Sequence, residues 1–209
     1  MSKDDKKTKI LAVGDIHGDR GLVKKLAKKA KEEKVDIVIL AGDLTHMGES
    51  DTKELIGPFV KENKKVLLIP GNWDSPGTAE FLAQKYSPDA KNLHGYSIEK
   101  GDLGIFGAGG SEGPGPGATT DKEILETLEK AHSRIEKRGK KIMLTHMHPT
   151  CSESEFSGVR GSKSITKAIK KFKPDVLLHG HIHEGGGIEE KIGDTQVINV
   201  SRNPVIFEI

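Results

Sequence analysis

Seven side chains of metal-binding type stand in five short turns: Asp15 and His17 in GDIHG, Asp43 in AGD, Asn72 in PGNWDSP, His146 in THMH, and His181 with His183 in GHIHE. One DxH or HxH alone means little, because polar turns often contain such pairs. Five such turns, each directly after an apolar run, ask for a common cause. The donors are carboxylate oxygen, amide oxygen and imidazole nitrogen, without thiolate. That set suits Mn²⁺, Fe, Zn²⁺, Ni²⁺ or Co²⁺ better than Ca²⁺, and Mg²⁺ alone would not call for so many imidazoles. Seven donors also exceed what one tetrahedral ion takes, so two divalent ions sharing one donor are expected, with Mn²⁺ the first choice. Two such ions can polarise phosphoryl oxygens and provide a hydroxide at neutral pH for in-line attack on phosphorus. Phosphoester hydrolysis is the chemistry this set suits.

The elements that must hold these residues show in the hydrophobic pattern. KILAVG (9–14), VDIVILAG (35–42), KVLLIPG (65–71), KIMLTH (141–146) and VLLHGH (176–181) are short runs apolar on both faces, which predicts buried strands. Between them Leu22, Val23, Leu26, Ala27 and Ala30 recur at helical spacing. So do Leu55, Phe59 and Val60, and also Ile124, Leu125, Leu128 and Ala131, with Asp121 the expected N-cap. This alternation predicts an α/β fold with a largely parallel sheet covered by helices. SIEKGDLGIFGAG and GIEEKIGDTQVINV instead predict strand–turn–strand pairs, so a second, mixed or antiparallel sheet region is expected. In open α/β sheets, ligands bind in the crevice beyond the carboxyl ends of the strands, and all seven donors fall there. The stretch GAGGSEGPGPGATT (107–120) is too rich in Gly and Pro for regular structure, and is either a plain surface loop or a lid.

GDIHG, GD, GN, a lone His and GHxH, in this order, resemble the calcineurin-like metallophosphoesterase superfamily over essentially the whole chain. GDLTHMG, GNWDSP, NLHG, GAGGS and GHIHE are similar to its prokaryotic cyclic-phosphodiesterase-related branch. The resemblance implies a four-layer αββα sandwich with a dinuclear metal site at the carboxyl ends of the central strands. It implies Asp15, His17 and His183 at one metal, Asn72, His146 and His181 at the other, and Asp43 bridging them. Many members have His where this chain has Trp73, thought there to protonate the leaving oxygen or steady the transition state. Indole has an N–H donor but no nitrogen that titrates near neutral pH, so Trp73 cannot be a general acid. It is a candidate substrate platform instead. His148, two residues past His146, and His46, three past Asp43, are the candidate catalytic residues; each has a solvated loop histidine as its alternative. Arg160, between glycines before a helix, is a candidate substrate contact or a plain surface cation. Asp74 either steadies ligands or merely forms a turn. His179 is expected to be a core histidine, His94 and His132 structural or exposed, and Cys151 an incidental thiol.

Length and composition bound these expectations. A chain of 209 residues suits one domain, 1–209. No apolar run approaches the twenty residues of a membrane span, and the N-terminal MSKDDKKTK lacks the apolar stretch of a secretory signal. With one cysteine there is no internal disulfide, and a cytoplasmic protein is expected. Net charge is +2, with 28 Lys against 5 Arg and 4% aromatics, so nucleic acid is not the expected partner. The expected partner is a small phosphoester, with self-association left open. The leading expectation is a phosphodiesterase acting on small or activated diesters. The alternatives are a nuclease of the same fold and a non-catalytic metal-binding scaffold for protein interaction.

Overall fold

The computed structural model describes residues 7–46 and 52–209. Residues 1–6, at the start of the chain, and 47–51, which include the last two residues of GDLTHMG, lie outside the described residues. The elements are β1 (Lys9–Val13), α1 (Arg20–Glu32), β2 (Ile37–Ala41), α2 (Gly57–Lys61), β3 (Lys65–Ile69), α3 (Pro76–Lys85), β4 (Ala90–Asn92), β5 (Ser97–Lys100), β6 (Leu103–Ala108), α4 (Asp121–His132), β7 (Lys140–Thr145), α5 (Lys163–Phe172), β8 (Val176–His179), β9 (Glu189–Ile192), β10 (Thr195–Asn199) and β11 (Val205–Glu208). All five predicted runs are strands, but they divide between two sheets. One has the order β11-β1-β2-β3-β4 and the other β5-β6-β7-β8-β10-β9.

Strands apolar on both faces are explained by three stacked cores. Leu11, Val13, Val38, Leu40, Val66 and Leu68 point outward against residues of α1, α2 and α3. Their neighbours Ile10, Ala12, Ile37, Ile39, Leu67 and Ile69 point inward against Ile105, Ile142, Leu144 and Leu178 of the other sheet. The outer face of that sheet, with Phe106, Met143, Leu177 and Val197, is covered by Ile124 and Leu128 of α4 and Ile165 and Ile169 of α5. The layers therefore run helix, sheet, sheet, helix. Each inner strand must be apolar at odd and even positions alike, because neither face meets water.

Both sheets are parallel at the centre, and three of the four edge strands are antiparallel: β11 on β1, β5 on β6 and β9 on β10, while β4 lies parallel to β3. The last strand departs from expectation. After the β9–β10 pair the chain leaves that sheet and completes the edge of the other. Helix α4 is capped by Thr120 and not by Asp121. Thr120 and Glu123 form a reciprocal capping box, with Glu123 N donating to Thr120 Oγ1 (3.2 Å) and Thr120 N to Glu123 Oε2 (2.8 Å). Asp121 is thereby free to accept from Ser162 Oγ and from Ser164 N and Oγ, fastening α4 to the head of α5.

Candidate metal centre

The loops after β1 and β2 run side by side. Asp15 N donates to the Gly42 carbonyl, His17 N to Asp43 and Gly18 N to Leu44, at 2.8–2.9 Å. Loops held this tightly bend sharply. Asp15, His17 and Asp43 have φ of 57°, 45° and 49°, and His181 in the loop after β8 has 74°. Left-handed backbone costs non-glycine residues of order 1–3 kcal/mol each and persists where the surroundings impose it, most often at functional sites. Gly42, between strand and ligand turn, has φ 85°, and a Cβ there would lie 2.5 Å from His146 Nδ1. No other residue fits at that point.

The turns from the two sheets meet at one rim, where two groups of donors form. In the first, Asp15, His17, Asp43 and His183 each offer one atom, and these atoms all lie within 4.8 Å of one another. His183 Nε2 is 3.2 Å from Asp15 Oδ1 and 3.2 Å from His17 Nε2, and His17 Nε2 is 3.7 Å from Asp43 Oδ2. In the second, His146 Nε2 lies 3.0 Å from Asn72 Oδ1 and 3.4 Å from Asp43 Oδ1, and His181 Nδ1 lies 3.1 Å from Asn72 Oδ1. Asp43 belongs to both, one carboxylate oxygen to each. Metal–ligand bonds are about 2.0–2.2 Å for these donors, so atoms sharing one ion stand roughly 3–4 Å apart. The pairs just given, at 3.0–3.7 Å, fit that. Two carboxylates at 0% and 2% exposure, Asp15 and Asp43, are costly to bury without cations beside them. Oxygen and imidazole donors without thiolate complete the fit to two divalent ions.

Several partners fix how the donors present themselves. His146 Nδ1 lies 2.9 Å from the Ala41 carbonyl and His17 Nδ1 lies 3.3 Å from that of Thr45, which leaves Nε2 of each facing the site. Asp74 is fully buried and accepts from Leu44 N, Thr45 N, Thr45 Oγ1 and Gly71 N, all at 2.8–2.9 Å. It is neither a simple turn former nor a partner of a ligand side chain. It ties the loop that carries Asp43 to the loop that carries Asn72. Trp73 N adds a bond to Asp43 Oδ1 at 2.9 Å.

Electrostatics separates the imidazoles. Burial works against charge on His146, but the Asp43 carboxylate outweighs it and raises its pKa to about 9. Burial, with the charge of His146, lowers His181 to about 4. The hydrogen bond to Asp15 raises His183, whereas burial lowers His17. Burial pushes the pKa of Asp15 and Asp43 up, yet neighbouring histidines, His183 and His146 for Asp15 and His146 for Asp43, hold both below the usual carboxylate value.

The family model of the calcineurin-like phosphoesterases matches residues 8–185. The chain belongs to this family. It is 31% identical over 206 residues to the uncharacterized protein MJ1162 of Methanocaldococcus jannaschii, covering 92% of this chain and 88% of that one. Its fold is similar to the crystal structure of TT1561 of Thermus thermophilus (TM-score 0.75, 20% identity, 92% of this chain and 88% of that one). An archaeal phosphodiesterase also shares the fold (TM-score 0.53, 21% identity, 92% and 82% coverage). Family membership makes this protein a hydrolase of phosphoric esters, with the Asp/His cluster able to hold metal.

The other candidates of this phosphoesterase lie at three depths. At the rim, exposed His46 stacks on the Trp73 ring (centroids 5.6 Å, 20°) and meets His17 edge-on at 5.7 Å. One layer down, His148 is fully buried against His181, its Nε2 donating to the Val159 carbonyl at 3.2 Å, and burial lowers its pKa. Below it His179 is a core residue whose burial lowers its pKa to about 3. His132 is structural, stacked on Phe172 at 4.3 Å, and His94 Nδ1 accepts from Gly109 N at 3.0 Å. Arg160 is exposed, one residue past Val159, and its charge acts on Glu155. Thr45 had no mark in the sequence, since a backbone carbonyl that holds a ligand imidazole carries no donor signature.

Proposed function

We infer that this protein is a dimetal phosphodiesterase for small or activated diesters, acting as one domain over residues 1–209. The observation that carries this is the division of Asp43, whose Oδ2 faces His17 at 3.7 Å while its Oδ1 faces His146 at 3.4 Å. A carboxylate placed between two donor groups is what a bridging ligand requires. Asp15, His17 and His183 would hold one ion and Asn72, His146 and His181 the other, with Mn²⁺ the first choice. Two bound divalent ions supply Lewis acidity toward the phosphoryl oxygens and acidify water near neutral pH.

The side chains of this chain do the remaining work. Asp74 holds the two ligand loops together, and the Ala41 and Thr45 carbonyls keep the imidazoles turned inward. His46 is placed to meet a leaving group at the rim, where Trp73 offers a flat apolar face to an aryl ring or base. His148, set below, supports His181 and steadies the loop that carries Arg160. A diester with an acidic leaving group suits a rim whose motif position holds indole. Modest net charge and scarce aromatics favour small substrates over nucleic acid, and the single cysteine suits the cytoplasm. A complete donor set supports an enzyme over a scaffold.

The test is turnover of bis(p-nitrophenyl) phosphate and p-nitrophenyl phosphate with Mn²⁺, Mg²⁺, Ni²⁺ and Zn²⁺, alongside metal content. Faster turnover of the diester, with two ions bound, is expected. Preference for the monoester would overturn the diester assignment, and bound metal without any turnover would favour the scaffold.

A further inference from the structure

Asn72 ends in an amide whose two heads match in shape and differ in chemistry. Only Oδ1 can bind a cation; the NH2 head is a donor. In its own turn, Gly71 N is engaged by Asp74 and Trp73 N by Asp43, so neither holds the Asn72 amide. The contact that does comes from the Gly/Pro-rich loop after β6. Asn72 Nδ2 donates to the Pro114 carbonyl in a long bond of 3.4 Å, while Oδ1 faces His146 Nε2 at 3.0 Å and His181 Nδ1 at 3.1 Å. A carbonyl can only accept, so Pro114 selects the NH2 head and turns the oxygen toward the imidazoles.

The same loop grips the backbone on both sides of Asn72. Gly117 N donates to the Asn72 carbonyl and Gly110 N to that of Pro70, each at 3.0 Å. Such close approach needs glycine at 115. Its φ is 131°, and a Cβ there would collide with the Asn72 carbonyl oxygen. Gly113, two residues earlier, has a similar φ of 123° but faces open space. Composition that looked like a plain loop or a lid is thus matched to one side chain of the centre.

We propose that the Gly/Pro-rich loop is a clamp on Asn72, with Pro114 and Gly115 as positioning residues that set the amide oxygen toward a divalent cation. The clamp rests on the dinuclear assignment above, and its test keeps the two apart. Metal-free wild type, Gly113→Ala and Gly115→Ala are titrated with Co²⁺, following heat and visible absorption. Both alanines strain the backbone alike, so Gly113→Ala is the matched control. Wild type and Gly113→Ala should take two equivalents with the same Kd values. Gly115→Ala should weaken one equivalent by about 10–100-fold, as loss of a ligand's supporting partner does, and spare the other. Equal Kd values for the two variants would overturn the clamp. Fewer than two equivalents in wild type would instead overturn the dinuclear assignment. In that case, or if Gly115→Ala fails to fold by circular dichroism, NMR of labelled wild type decides. A nuclear Overhauser contact between the Asn72 side-chain NH2 and Pro114 Hα supports the clamp, and its absence rejects it.

Discussion

Around His146 and Asn72 the donors are almost wholly enclosed, at 0% and 6% exposure, and each has a further partner in Ala41 or Pro114. Around His183 the site opens, with 42% of that side chain exposed, and His46, edge-on to His17, lies on the surface. One half is preformed and closed over by packing; the other sits on loops tied by backbone hydrogen bonds but opens to solvent at His183. Asp43 and Asp74 join them, the first by its two oxygens and the second through the backbone of both loops. The difference teaches where each role belongs. A preformed half suits an ion that stays, and an open half suits the ion at which substrate arrives.

The largest expected effect comes from removing what both halves share. Asp43→Ala should lower kcat/KM by about three orders of magnitude, taking the ions to contribute roughly 4 kcal/mol to transition-state stabilisation. The position lies past the strand, so circular dichroism should be unchanged. Full turnover with two ions retained would remove the bridge from the account. Asp74→Ala breaks the joint in another way. Four donors lose their buried acceptor, and a loss of about 3–5 kcal/mol is expected, seen as a fall in Tm of roughly 10 °C. A Tm within a degree or two of wild type would show that the loops hold without it.

His183→Ala and His146→Ala sharpen the contrast between the halves. The first should leave one equivalent bound at wild-type affinity, because the enclosed group is intact. The second should cost that tightly held equivalent. Calorimetric titration distinguishes them, and identical isotherms would mean that the halves are equivalent. Proton competition is a smaller effect. A metal-binding imidazole must be neutral, and His146 keeps its proton up to about pH 9. Metal affinity should therefore rise about tenfold per pH unit toward 9 for each proton displaced, and binding at pH 7 should release protons into the buffer. Affinity independent of pH from 7 to 9 would contradict the raised pKa. The smallest change is Trp73→His at the open rim, where kcat should shift more for an alkyl than for an aryl diester. If neither kcat nor KM moves for either substrate, Trp73 serves packing with His46 alone.

The seven donors were legible because each lies in the turn just past a strand, and strand ends are where this kind of sheet exposes side chains. The four layers needed the resemblance as well. Runs apolar on both faces predict covered strands without saying that the cover of one sheet is another sheet. Helix α3 is not announced by spacing, since Pro76–Lys85 mixes buried Thr78, Ala79, Leu82 and Ala83 with an exposed Phe81. Asp121 was a reasonable cap by type, but Thr120 with Glu123 satisfies two backbone groups reciprocally and displaces it. The depth of His148 and the joint made by Asp74 were out of reach. Both depend on which loops become neighbours, and residue types alone do not encode that distance.

Occupancy and chemistry can be read together on one sample. Metal-free protein is titrated with Mn²⁺ while bis(p-nitrophenyl) phosphate turnover is followed at each increment. With a dinuclear centre bridged by Asp43, turnover should stay near zero through the first equivalent, rise through the second and level off at two. Turnover complete at one equivalent, or two ions bound with none, would contradict it.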